Sequence, residues 1–155
     1  MIYLLCGRVG SGKSTFARQR LACPCLSCDE LLLRLFPPYL GEKHGEIQGK
    51  CMAYLMDLAV DLGKNGVDVA LDFGFWTRQG REEAKEFFAR RGLAACLYYF
   101  DLPERTRLER LQARDKAIRD GKVKDSYRMD GGIREILDAR FEPPLPSEVD
   151  VWMMS

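Results

Sequence analysis

Gly7-Arg8-Val9-Gly10-Ser11-Gly12-Lys13-Ser14-Thr15 fits the pattern Gly, four residues, Gly-Lys-Ser/Thr, which is that of a phosphate-binding loop. A triphosphate packs several negative charges into a small volume, so its site needs many donors and little side-chain bulk. Gly7, Gly10 and Gly12 permit backbone turns that other residues resist, letting successive N–H groups converge on phosphate oxygens. Lys13 is placed to reach the β- and γ-phosphates, and the Ser14 hydroxyl to ligate Mg²⁺. A helix opening near Ser14 adds its positive N-terminal end.

The flanks agree with this assignment. Ile2-Tyr3-Leu4-Leu5-Cys6 is a continuous apolar run, as expected of a buried parallel strand. Ser14 to Leu21 contains neither Gly nor Pro and reads as a helix. Strand, glycine loop and helix in this order are what phosphate binding requires. An accidental glycine-rich turn has no reason to carry them.

The 155 residues are expected to form one domain. With 46% hydrophobic and 30% charged residues, the composition is that of a soluble globule. A net charge of +1 gives no general attraction to nucleic acid or to a membrane. No apolar run reaches the ~18 residues of a membrane span, and no signal peptide is legible, so a cytoplasmic location is expected. Cys23, Cys25 and Cys28 are crowded together, but no second close pair of ligands completes a zinc site. Reduced thiols are the expectation.

Further along, Cys25-Leu26-Ser27 reads as a short strand that leads into Cys28-Asp29-Glu30. An Asp at the carboxyl end of a strand lies where open α/β sheets bind ligands. Beside a γ-phosphate, Asp29 is suited to accept the proton of an attacking hydroxyl. The alternative is that Asp29 caps the helix Glu30–Leu35. Residues 36–45 read as a loop, with the single histidine, His44, either touching substrate or standing in solvent. Glu46 to Leu62 has apolar residues three and four apart, an amphipathic helix.

Val67 to Asp72 reads as a strand ending in an acid, and Asp72 is placed to hold Mg²⁺ through a water. Asp72-Phe73-Gly74 spells the metal-binding triplet of protein kinases, but the companion signatures of those enzymes are absent, which makes the match accidental. Phe75 and Trp76 either pack the core or line an acceptor site. A helix over Gln79–Arg91 buries Ala84, Phe87, Phe88 and Arg91 on one face. Ala94–Phe100 is the fourth strand, and Asp101 is expected to cap the helix after it.

Between Arg105 and Arg128 stand nine Lys or Arg and four acids. Arg107, Arg110 and Arg114 share a helical face. Arg110 and Arg114 are suited to neutralise charge on a departing phosphoryl group. The alternatives are a solvated charged helix and, less favoured, a strip tracking a nucleic-acid backbone. Residues 116–132 read as a lid, Ile133–Phe141 as a short helix and Asp150–Met154 as the last strand.

Together, the Gly7–Thr15 loop, Ser27-Cys28-Asp29-Glu30, Leu71-Asp72-Phe73-Gly74-Phe75-Trp76 and the Arg110/Arg114 pair resemble the small P-loop kinase-like proteins called AAA-family ATPases or predicted kinases. This group is similar to gluconate kinase, chloramphenicol phosphotransferase, zeta toxin and the 5′-hydroxyl kinase of polynucleotide kinase. The resemblance implies a three-layer α/β P-loop NTPase fold: a five-stranded parallel sheet in the order 2-3-1-4-5, helices on both faces, and a basic lid at roughly residues 110–130. It implies ATP and Mg²⁺ as cofactors, held by Lys13, Ser14 and the loop, with Asp29 as base and Arg110 and Arg114 as lid arginines. The expected activity is transfer of the γ-phosphoryl of Mg-ATP to a hydroxyl of a small-molecule acceptor. The alternatives are a nucleotide switch working with a protein or RNA partner and a 5′-hydroxyl nucleic-acid kinase.

Overall fold

Five parallel strands form the sheet: β1 (Ile2–Cys6), β2 (Cys25–Ser27), β3 (Val69–Gly74), β4 (Ala95–Phe100) and β5 (Val151–Met153). Their order is β2-β3-β1-β4-β5, as the resemblance implied. The computed structural model describes residues 1–123, 127 and 131–154. The central strand β1 is buried on both faces, with Ile2, Leu4, Leu5 and Cys6 fully inaccessible, which explains its unbroken apolar run. Its register sets Leu4 beside Leu71 of β3 and Leu97 of β4.

The helices are α1 (Lys13–Arg20), α2 (Cys28–Leu35), α3 (His44–Lys64), α4 (Arg78–Ala89), α5 (Glu104–Arg119) and α6 (Gly131–Ala139). Side chains alternate along each strand. In β3, Ala70 packs with Ala17 of α1 on one face, while Leu71 packs with Ala59 of α3 and Ala84 and Phe88 of α4 on the other. Two layers of helix therefore enclose the sheet, as its two-sided burial requires. Among the described residues no helix is long and apolar enough to cross a membrane. All six cysteines are free thiols.

Four local expectations change. The helix after β2 begins at Cys28, and its cap is Ser27, whose hydroxyl accepts the Glu30 N–H at 3.3 Å. Asp29 lies inside the first turn and is not the cap. The helix after β4 begins at Glu104 with no side-chain cap, because Asp101 stands too far upstream and instead accepts a hydrogen bond from the Tyr99 hydroxyl at 3.4 Å. The expected lid is helical up to Arg119, consistent with the good helix propensity of its Arg, Lys, Ala and Gln residues. Residues 124–126 and 128–130 of that lid lie outside the described residues. On α4 the buried positions are Arg81, Ala84 and Phe88. Arg91 is exposed, its guanidinium lying 3.6 Å from the centre of the Phe87 ring.

Two buried arginines hold the carboxyl edge of the sheet. Arg81 is 1% exposed. It pairs with Glu148 at 2.9 Å and donates to the carbonyls of Phe75 at 3.1 Å and Glu142 at 2.9 Å. Phe75, in the corner after β3, has φ 44, a left-handed backbone unfavourable for a bulky residue. The Arg81 bonds and a Cys6 thiol donating to the Phe75 carbonyl at 3.4 Å hold that corner in place. Arg107, equally buried, joins Asp138 of α6 at 2.7 Å and the Val9 carbonyl at 3.2 Å.

Candidate active site

The loop between β1 and α1 lies against the end of β3, where the Gly7 N–H donates to the Gly74 carbonyl at 3.0 Å. Gly10 and Gly12 have φ of 82° and 92°, which L-residues rarely adopt. A Cβ on Gly10 would stand 2.7 Å from the Leu111 side chain. Gly12 opens α1 without any side-chain cap, so the first-turn N–H groups remain for an anion. Lys13 is buried and folds back on the loop, donating to the Gly7 and Arg8 carbonyls, each at 2.9 Å. Burial pushes its ammonium pKa down, and the charge of Asp72 opposes that shift.

The Ser14 hydroxyl donates to Asp72 in a short contact. The two expected metal ligands are thus adjacent, on neighbouring ends of α1 and β3. Hydroxyl and carboxylate oxygens are the donor set Mg²⁺ takes. Asp29 shares this space. Water reaches it through the open cavity, yet the surrounding protein raises its carboxyl pKa. Desolvation is the main cause and the charge of Asp72 adds to it, while Lys13, Arg114 and His44 work in the opposite direction.

From α5, Arg110 lies over the loop: its guanidinium would be 3.0 Å from a Cβ on Gly12. Arg114 is turned inward. Its Nε and one terminal nitrogen are buried, with no hydrogen-bond partner among the described residues. Burial lowers its pKa, while Asp115 and Asp29 oppose the fall, and an arginine stays protonated regardless. A buried cation with unused donors, beside a loop built for phosphates, is what an anionic ligand would satisfy. Arg107 does not join this pair, because it is spent on Asp138 and Val9.

A cavity of about 2310 Å³ connects these groups. It is lined by Val9 to Thr15, Asp29, Asp72, Arg110 and Arg114, so most residues singled out from the sequence meet there. Arg8 is an exception: its guanidinium lies over the Phe141 ring at 5.4 Å, outside the cavity. Gly7 shapes the turn from beneath, where a Cβ would meet Phe100 O at 3.0 Å.

His44 is not in solvent. It lines the cavity wall, with its Nδ1 buried and without a hydrogen-bond partner among the described residues. Its ring is 6.1 Å from that of Tyr127, which also faces Tyr39 at 6.3 Å. Burial, then the charge of Asp29, pushes the Tyr127 phenol up to about 12. Tyr127 was not singled out from the sequence, because no local pattern links a tyrosine in a polar stretch to an Asp nearly a hundred positions earlier.

Comparison with known proteins agrees with this geometry. A family profile described as an AAA domain matches residues 2–132, and the chain belongs to that family. No curated protein gives a match. Among solved structures, the chain is similar to the Mycobacterium tuberculosis APS kinase CysC in complex with AMPPNP and APS. Identity is 18% and the TM-score 0.65, over 99% of this chain and 87% of that one. It is similar to Chaetomium thermophilum Kti12 in complex with ADP-AlF3, with 15% identity, TM-score 0.67, and 100% and 88% coverage. It also resembles a chain of the Pnkp1/Rnl/Hen1 RNA repair complex, with 20% identity and TM-score 0.68, over 90% of this chain and 43% of that one. At these identities the likeness is one of fold.

Proposed function

We propose that the protein transfers the γ-phosphoryl group of ATP to a hydroxyl of a small-molecule acceptor, residues 1–155 acting as one nucleotide-binding domain in the cytoplasm. Asp29 carries this assignment. Because Ser27 caps α2, the Asp29 carboxylate is left for chemistry, in a cavity it shares with Lys13, Asp72 and Arg114.

The residues suit Mg-ATP: an uncapped helix start, glycines with no room for a Cβ, and a buried arginine with unused donors. When bound, magnesium would supply the positive charge that favours phosphoryl transfer. Ser14 and Asp72 would hold the metal, directly or through water. Loop N–H groups cradle the phosphates, and Lys13 exchanges the Gly7 and Arg8 carbonyls for phosphate oxygens. Asp29 orients the acceptor O–H and takes its proton as the new O–P bond forms. Its raised pKa brings it nearer the value a base needs at neutral pH. Arg110 and Arg114 stabilise charge on the transferred group.

The test is ADP formation from Mg-ATP with and without pooled sugars, nucleosides, aromatic alcohols and 5′-hydroxyl oligonucleotides, with Lys13→Ala as blank. Stimulation by one pool, absent from the blank, is the expected result. Slow release that no pool stimulates would instead favour a nucleotide switch. Stimulation by oligonucleotides alone, steeply salt-dependent, would favour a nucleic-acid kinase.

A further inference from the structure

The cavity at the phosphate loop is larger than one nucleotide requires: about 2310 Å³, against roughly 300–1,000 Å³ for typical small-molecule sites. One part of the extra space runs between α3 and α4, beyond the Phe75 corner. Its inner walls are Met52 and Met56 from α3, Phe73 from β3, Trp76 from the corner and Phe87 from α4, all lining the same cavity as Asp29, with the exposed Asp57, Thr77 and Glu83 at its solvent side. Contact is continuous. Met52 and Phe73 pack against the buried cluster that contains Cys28, the neighbour of Asp29, and Phe73 also belongs with Met56, Trp76 and Phe87.

The polarity of α3 is graded along this wall. His44, Gln48, Met52 and Met56 recur every four residues and all line the cavity, so they form one stripe. The polar end, His44, lies where its charge is felt by Asp29. The other end offers thioethers and aromatic rings, which pair poorly with hydroxyl groups. The Trp76 indole folds over Gly74, where a Cβ would overlap it, and Arg81 holds the Trp76 backbone through the adjoining carbonyl of Phe75 at 3.1 Å. The wall is therefore formed before any ligand arrives.

Resting on the phosphotransferase reading above, we infer that the acceptor is an alcohol with an apolar, aromatic-type body. Its hydroxyl lies at Asp29 and His44, and its body occupies the α3–α4 cleft. A polyol placed there would leave the hydroxyls turned toward the Met52, Met56, Phe73 and Trp76 faces unpaired, which disfavours it, and only those reaching the outer Asp57, Thr77 and Glu83 would find partners. Methionine and aromatic faces instead match a flat apolar group.

Binding is measured apart from turnover. The chain has two tryptophans; Trp152→Phe leaves Trp76 as the sole emitter. This variant is titrated with 2-phenylethanol and 4-phenylbutanol, and with glycerol and glucose as polyols, with and without saturating Mg-ADP. The expected result is a saturable change in Trp76 emission with the aromatic alcohols only, unaffected by Mg-ADP. Met56→Glu, which places a charge in the cleft, weakens binding by about tenfold or more, and the milder Met52→Gln weakens it in the same direction. The inference is overturned if polyols bind as well as the aromatic alcohols, if Mg-ADP competes with them, or if both variants leave the titration unchanged. Aromatic alcohols that bind without stimulating ADP formation, alongside no other acceptor, would remove phosphotransfer while leaving the cleft's ligand class. ADP formation driven by a polyol alone would keep phosphotransfer and remove the inference.

Discussion

Replacing Arg81 with methionine removes a cation that is 1% exposed and leaves Glu148, whose side chain is 12% exposed, with a charge its partner no longer balances. The carbonyls of Phe75 and Glu142 lose donors at 3.1 Å and 2.9 Å. Removing one member of a buried ion pair typically costs about 3–5 kcal/mol. For a domain of this size each kcal/mol lowers Tm by about 2–4 °C, so a fall of roughly 6–20 °C is expected. Urea unfolding followed by circular dichroism supplies the free energy, and a thermal scan supplies Tm. Adding Glu148→Leu recovers part of the loss, because an apolar pair replaces the stranded charge. Recovery stays incomplete, since the Glu142 carbonyl has lost its Arg81 donor and the Phe75 carbonyl keeps only the weak Cys6 thiol. The native emission of Trp76 shifts in Arg81→Met as the Phe75 corner relaxes. A cost below about 1 kcal/mol, with unchanged emission, would refute the claim that Arg81 holds the corner.

Arg107→Met is expected to weaken nucleotide binding as well as the fold, because it frees the Val9 carbonyl and unties the loop from α6; calorimetric titration with Mg-ADP, finding at least tenfold weaker binding in still-folded protein, checks it. Gly10→Ala abolishes nucleotide binding with smaller harm to folding, since the new Cβ meets Leu111 at 2.7 Å at φ 82; wild-type affinity in that variant would be contrary. Asp29 gives a pH signature. Its folded-state pKa is raised, so between the unfolded and folded values the folded chain binds more proton, and the Asp29 contribution to stability falls as pH rises through that window. The stability of Asp29→Asn relative to wild type therefore grows from about pH 4 upward and levels off above the shifted value, read as the difference in Tm across a pH series. A constant or shrinking difference would be inconsistent.

The phosphate loop was legible because its chemistry is local: glycines, Lys13 and Ser14 act within one turn, next to an apolar strand. Asp72 was legible for a related reason, since an acid ending a hydrophobic run marks the ligand edge of a parallel sheet. What depended on packing was harder to read. Asp29 offered two roles until Ser27 was seen to fill one. Arg107 reads from sequence as a member of a charged helical face and Arg81 carries no signal at all, because their partners Asp138 and Glu148 lie 31 and 67 positions away. The extent of α5 was hidden by its polarity, which a solvated helix shares with a loop. His44 and Tyr127 meet only through tertiary structure.

Asp29→Asn separates binding from chemistry. Mg-ATP affinity is measured by titration, and acceptor-stimulated ADP formation is measured under the same conditions with the acceptor pool that activates the wild-type protein. Nucleotide affinity within a few-fold of wild type, with transfer reduced by about 10²-fold or more, is expected of a base that acts on the acceptor hydroxyl. Transfer at the wild-type rate would show that Asp29 is not the base.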